Sequence, residues 1–557
     1  MKVKDIKTII TGIAFSSLLF AGCNLLETKE DLYLTDEMLA TRRYQMFDMG
    51  YKAYSNIPYG FSMIDGNLFA AVSDEAQYVT TFSATQRFNE GSWNAFYNPN
   101  DCYTKYYNGI YDVHYYLENS TDYKHILGMN RDTMNSSGKD SYYEDIKDVK
   151  LLRAEAHVLK AYYYFELAKR YGGVPIIDKT YQNMEEANVP RATFDDVVNK
   201  IVNEIDGSKD ELVDDWGKAG MIAKAGRLTK PAALAIKSRA LLYAASPQFN
   251  PSNSKAKWAA AATAAYQIIN MGIFSLNSSY SNLFITDATN TSSETIWAIR
   301  SGQTNDLERK NYPIGTPGGG TGIAPSHNLV ADYEHKGPVT SDIYANLDPR
   351  FYATVLKNGD SWNGRTLKIY SGGTDDPKNK NASPTGYYLK KFLIENLNLT
   401  NDAKQIRSWI AFRYAEILLN YAEAMNEAYG PDINNGYSMT ARGAVDAIRA
   451  RFGVGMPPVN VTVGDVVGMR EAIKHERQIE LAFEDHRYWD LRRWDDAKTV
   501  LNEPIMGINV ANNGGNFTYT PFEVAKRVFV APKMNLFPIP QSEIVKTMGI
   551  LKQNPGW

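Results

Sequence analysis

A chain of 557 residues with 60 basic and 63 acidic side chains carries a formal charge of −3, which leaves no electrostatic footprint for nucleic acid or another polyanion. Its length would suit several domains of about 150 residues, yet no Ser/Pro linker or charge run cuts it into independent pieces. The 37 Tyr and 9 Trp supply many side chains able to stack on flat, weakly polar ligands.

The N-terminus has Lys2, Lys4 and Lys7, then an apolar run from Ile9 to Phe20, then small residues, the pattern of a secretory signal over 1–22. That run is shorter than the roughly 20 residues of a spanning helix. The segment Leu19-Phe20-Ala21-Gly22-Cys23 resembles a bacterial lipobox, with Phe20 where Leu is usual, and this places lipidation on Cys23. Residues 23–34 read as an acidic tether bearing Glu27, Glu30 and Asp31, and 35–557 as a single domain. Once Cys23 is acylated only Cys102 remains, so the exported fold must rely on its core rather than on a disulfide. No later stretch is long and apolar enough to span a bilayer.

Helical periodicity runs from Thr35 to about Tyr59 (Met38, Arg42, Gln45, Met49) and over 101–119 (Tyr103, Tyr106, Ile110, Val113, Leu117). Between them, 60–100 is a polar insertion carrying Asp65, Asn67, Asp74, Glu75, Arg87, Asn89, Trp93 and Asn94, and a loop of this length is commonly functional. A helix from Tyr143 to Arg170 ends at Gly172-Gly173 before Pro175; its Tyr162-Tyr163-Tyr164-Phe165 run is assigned to the core. Further helices fit 194–206, 231–245 (with Pro231 in the first turn), 256–271, 409–429 and 438–452. The stretch 275–405 is rich in Gly, Ser, Thr, Asn and Asp, with short β-like runs at 295–300, 352–356 and 387–392, and Trp297 belongs to a core strand. The expected fold is mostly α: tetratricopeptide-like helix pairs overlaid by long loop-rich insertions and a few short strands.

From His475 to Trp494 the chain reads HERQIELAFEDHRYWDLRRW. Glu476, Glu480 and Glu484 share one helical face at i, i+4 spacing beside Ile479 and Phe483. Arg477, Arg487, Arg492 and Arg493 are the expected partners, with Tyr488, Trp489, Leu491 and Trp494 burying an ionic network.

The segment IELAFEDHRYWDLRRW resembles the signature of the SusD/RagB family, surface lipoproteins that Bacteroidetes use with a TonB-dependent transporter to capture nutrients. RAEAHVLKAYYYFELAKRYGGVPII at 153–177 and NLFPIPQSEIVKTMGILKQNPGW from Asn535 resemble the same family, so the blocks span nearly the whole chain. The resemblance implies a SusD-like fold with a C-terminal signature region over 467–557. It also implies a surface-directing role for the acidic tether, a ligand face built by 60–100 and 275–405, and an opposite helical face meeting a SusC-like transporter in the outer membrane.

Motifs for catalysis are missing. His475-Glu476 is followed by Arg477-Gln478-Ile479 rather than completing HExxH, Gly315 to Gly322 lacks the Lys-Ser/Thr of a phosphate loop, and no Gly-x-Ser-x-Gly elbow occurs. No motif calls for a cofactor or metal. Sugar binding instead asks for an aromatic face flanked by planar polar groups. Trp93 with Arg87, Asn89, Asp65 and Asn67 offers this in the first insertion, and Trp362, Arg365, Tyr312, Tyr333, Tyr344 and Tyr387 in the second. The alternative for each is that it packs its own loop. Asp65 and Asn67, separated by Gly66, would point to one side of an extended chain. The implied function is non-enzymatic capture of an oligo- or polysaccharide; peptide capture on the same scaffold and a surface glycan hydrolase are the alternatives.

Overall fold

The computed structural model describes residues 43–557 apart from 130, 182, 184, 185 and 286–291. The signal segment, Cys23, the tether and the first turns of the 35–59 helix therefore lie outside the described residues. In chain order the elements that position the site are α1 (Arg43–Lys52), β1 (Ala76–Tyr78), α2 (Ala84–Asn89), α3 (Tyr103–Asn119), α4 (Ser136–Tyr171), α5 (Phe194–Ser208), α6 (Lys230–Ala245) and α7 (Lys255–Ile269). They continue as β2 (Thr295–Thr304), β3 (Ile323–Pro325), β4 (Gln405–Arg413), α8 (Tyr414–Tyr429), α9 (Ala441–Arg449), α10 (Val466–Glu480), α11 (Arg487–Arg493), β5 (Ile505–Asn513), β6 (Asn516–Ala525) and α12 (Gln541–Lys546).

The long helices stack on their sequence neighbours, α3 on α4, α4 on α5, α5 on α6, α6 on α7 and α7 on α8, as expected of antiparallel helix pairs. Their starts are capped. Thr193 and Asp196 form a reciprocal capping box on α5, and Thr229 accepts from Ala232 N ahead of Pro231 in α6. Helix α4 is longer than its periodicity suggests. Its second half is buried on every side, so the Tyr162–Phe165 run is core, as its density requires. Where α3 crosses α4, a Cβ at Gly109 would stand 2.5 Å from the Tyr163 ring, so only glycine permits the approach.

Several boundaries differ from those expected. Phe412 belongs to β4, which pairs antiparallel with β2, and α8 begins only at Tyr414. Phe452 lies beyond α9 and is exposed, because the helix ends at Arg449. The 352–356 run is split between a helical turn, Pro349–Thr354, and a two-residue strand. The hairpin β5–β6 was not anticipated, although Asn513-Gly514-Gly515-Asn516 is a strong turn signal. Both glycines are left-handed there, with φ of 68° and 98°. Among the described residues no helix is long and apolar enough to cross a membrane.

Helix α10 ends at Glu480, so Glu484 lies beyond it rather than on its face; all three glutamates are buried, but their partners come from other segments rather than from the neighbouring arginines. Glu480 accepts from Arg413 Nη1 (2.6 Å), Arg451 Nη2 (2.7 Å) and Arg350 Nη1 (2.9 Å). Glu476 binds Arg350 and Arg449, and Glu484 binds Arg413 and Lys391. Arg477 and Arg493 instead share Asp490, and Arg493 forks onto Glu423 at 2.5 and 2.6 Å. Arg492 donates to Asn535 O and lies against Trp489.

Because burial opposes ionisation, only this set of cations keeps the Glu480 carboxyl below its ordinary range. Truncating one partner would strand a buried charge at a cost of about 3–5 kcal/mol. Arg413→Ala is accordingly expected to lose stability of about that size in urea unfolding followed by tryptophan fluorescence.

Candidate functional site

The two insertions meet along a hydrogen-bonded seam. Strand β1 pairs antiparallel with β3, Ala76 opposite Pro325 and Tyr78 opposite Ile323, and Val79 N continues the seam to Gly322 O at 2.9 Å. Asn67 and Asn311, both buried, exchange two amide hydrogen bonds of 3.1 Å, and Lys310 Nζ donates to Gly66 O. Ser326 N and Oγ donate to the carbonyls of Glu75 and Asp74. The first insertion is then tied to the signature segment. Arg487 forks onto Asp74 at 2.9 and 2.7 Å, and Phe483 N donates to Glu75 Oε1 at 3.0 Å.

Most of the aromatic and polar candidates are consumed by this construction. Trp93 is 3% exposed, stacked on Phe88 at 4.9 Å and flanked by Phe537 and Trp557, with its indole N–H on Phe88 O. It is a core residue and presents no face for stacking. Asn89 is buried and donates to Ala71 O, while Arg87 is exposed and lies over the Tyr97 ring. Tyr312 and Trp362 are buried edge to face; the Tyr312 hydroxyl donates to Ile394 O. Tyr333 is buried against Phe351, and Tyr344 and Tyr387 join hydroxyls at 2.9 Å below the surface. Arg365 is forked onto Asp375 at 2.7 Å for each oxygen. Neutralised and packed side chains of this kind brace loops.

Asp65 and Asn67 do not point the same way. Left-handed backbone at Asp65 and Gly66, φ 50° and 64°, turns the chain so that Asn67 faces inward and Asp65 outward. The Asp65 carboxylate accepts from Ala84 N, Thr85 N and Thr85 Oγ1 at 3.1, 2.8 and 2.6 Å, fastening the start of α2. Ser83 caps the same helix by accepting from Gln86 N.

One aromatic left in solvent at the seam is a residue that periodicity and motif spacing did not single out. Phe82 is 97% exposed on the short loop between Val79 and Ser83, a segment pinned at one end to Gly322 and at the other to the Asp65-fastened turn of α2. Beside it in the chain stand the exposed Thr80 and Thr81 and the half-buried Tyr78, while Gln86 is engaged by Gln77 and Glu90 and Lys310 by Gly66 O. Burial and the neighbouring Asp65 carboxylate raise the Tyr78 pKa, so the phenol stays protonated and able to donate. A flat apolar ring bordered by donors and acceptors suits a ligand with C–H faces and hydroxyl edges. The sequence signal for it was only position, in a Thr-Thr-Phe-Ser loop with no stripe to bury the ring.

These assignments separate in unfolding experiments. Phe82→Ala is expected to change stability by no more than about 0.5 kcal/mol, as for exposed positions, and Trp93→Ala to lose about 3–5 kcal/mol by opening a cavity. Beneath the seam, burial pushes the Glu75 carboxyl up from 4.5 to about 8. The folded chain thus holds a proton that the unfolded chain has lost between pH 4.5 and about 8, and stability falls as pH rises through that window. Glu75→Gln should flatten this slope in urea titrations across the window.

Comparison with known proteins follows the same architecture. The profile described as the SusD family matches residues 287–557, and one described as starch-binding, associating with outer membrane, matches residues 62–242. SusD-like protein P2 of Formosa agariphila is 24% identical over 439 residues, covering 78% of this chain and 79% of the relative. A solved SusD-like protein from Bacteroides fragilis superposes with a TM-score of 0.76 at 23% identity, over 94% of this chain and 99% of the other. A SusD-like carbohydrate binding protein from the same organism gives 0.71 at 24% identity, over 92% and 99%. A laminarin binding SusD-like protein gives 0.64 at 20%, over 93% and 100%. With matching profiles on both halves of the chain and this fold between them, the chain belongs to the SusD/RagB family.

Proposed function

We propose that this protein is a non-catalytic, lipid-anchored receptor that binds an oligo- or polysaccharide at the rim of the seam and hands it to a TonB-dependent transporter in the outer membrane. The observation that carries the ligand reading is Phe82: a fully exposed ring on a loop pinned at both ends, with the exposed Thr80 and Thr81 beside it in the chain. A preorganised loop binds without first losing much conformational entropy. The description of starch binding with outer-membrane association, and the carbohydrate- and laminarin-binding relatives, support a glycan as the ligand class. The lipobox at Cys23 supports the anchor, and the transporter rests on family membership.

A binding role also fits the carboxylates near the seam. Asp65 is spent on three donors of α2, Asp74 is forked by Arg487, and Glu75 is buried, so none is placed as a free acid beside Phe82. Hydrolysis needs two carboxyls across the scissile bond. Affinity electrophoresis in gels cast with starch, laminarin and other soluble polysaccharides tests the reading. Phe82→Ala should weaken retention several-fold, matching about 1 kcal/mol for one stacking contact, with no new reducing ends formed by either protein. Equal retention of the variant would remove Phe82 from the site.

A further inference from the structure

A second surface, built where Asn94–Tyr97 meets the last segment of the chain, takes no part in the seam. Gln541 N donates to Ala95 O at 2.8 Å, and the Trp557 ring lies 4.6 Å from that of Trp93, so the two segments form one body. Between them runs a groove of about 560 Å³ lined by Phe96, Ile544, Leu551 and Trp557, with Gln541 and Lys552 at its edges. Apolar exposure is concentrated here: Phe96 in the lining is 85% exposed, and Val545 (66%) and Met548 (83%) adjoin the lining residues Ile544 and Gly549 along the chain. Clustered apolar exposure of this kind marks an interaction surface.

The charge around the groove is positive. Lys546 is matched by Glu543 at 2.7 Å. Lys533 lies over the Trp557 ring at 4.3 Å, and among the described residues neither Lys533 nor Lys552 has a carboxylate partner. This local excess stands on a chain whose net charge is −3. We propose that the groove docks a protein partner through a polypeptide segment in which an aliphatic or aromatic anchor is flanked by carboxylates.

The other occupants fit less well. Two copies of this chain would bring like charges together, which disfavours association. A saccharide would need free edge groups, yet Gln553 is spent on Ile539 and Asn554, and the Asn94 carbonyl on Phe96 N and Tyr97 N.

Panning a random-peptide phage library on the full chain tests the proposal, with the Phe96→Asp variant as counter-target and its fold checked by circular dichroism. The expected peptides carry an apolar residue next to Asp or Glu. They should bind the Phe96→Asp variant about tenfold more weakly than the unaltered protein, and Lys533→Glu/Lys552→Glu should weaken them comparably. Peptides that bind both targets alike, an absence of enrichment, or groove-dependent binding of phosphatidylglycerol vesicles without peptide binding would overturn it. Glycan retention should be unchanged in these variants, so the groove and the seam stand or fall separately.

Discussion

Glu480 is completely enclosed, and it is tolerated there only because Arg350, Arg413 and Arg451 converge on it from three separate parts of the chain. Arg350 belongs to the second insertion, Arg413 ends the strand that leads back from it, and Arg451 follows α9. Four residues on, Glu484 takes Arg413 again and the buried Lys391. An ion cluster of this kind adds little net stability over a well-packed apolar core, but it is intolerant of partial assembly. It therefore fixes where the second insertion lies relative to the helical stack.

The first insertion is held by the same segment through different atoms. Beyond α10 the backbone becomes left-handed at Phe483 and Asp485, φ 66° and 61°, which aims Phe483 N at Glu75 and starts α11 with Arg487 facing Asp74. One stretch of about a dozen residues thus grips both insertions and leaves them to be zipped together by β1, β3 and the Asn67–Asn311 pair. Long loops fastened this way become a rigid rim, and rigidity is what a stacking residue such as Phe82 requires to bind without ordering first.

The same bracing explains why a large aromatic in a polar insertion is a poor guide to the site. Trp93, Trp362, Tyr312 and Tyr387 are needed inside the insertions, because loops without regular hydrogen-bonded structure have few other means to bury apolar area. The ring that stands outside at the seam, Phe82, sits in a segment with no motif. Arg365 and Asn89 were plausible hydrogen-bond partners for a sugar, yet each is already paired within the protein.

Residue pattern alone pointed to most of the long helices, the glycine stop of α4 and its tyrosine-rich core, since these depend on periodicity and on interactions within a few residues. It also established that the His475–Trp494 stretch must be a buried charge cluster, because glutamates spaced on one face beside bulky apolar residues have no other stable setting. Which cations would answer those glutamates, where α8 yields to β4, and which loop aromatic stays in solvent were decided by the tertiary structure. These turn on groups from separate segments meeting in space, as Arg413 meets Glu480 and Asn67 meets Asn311, and spacing along the chain carries no record of such meetings.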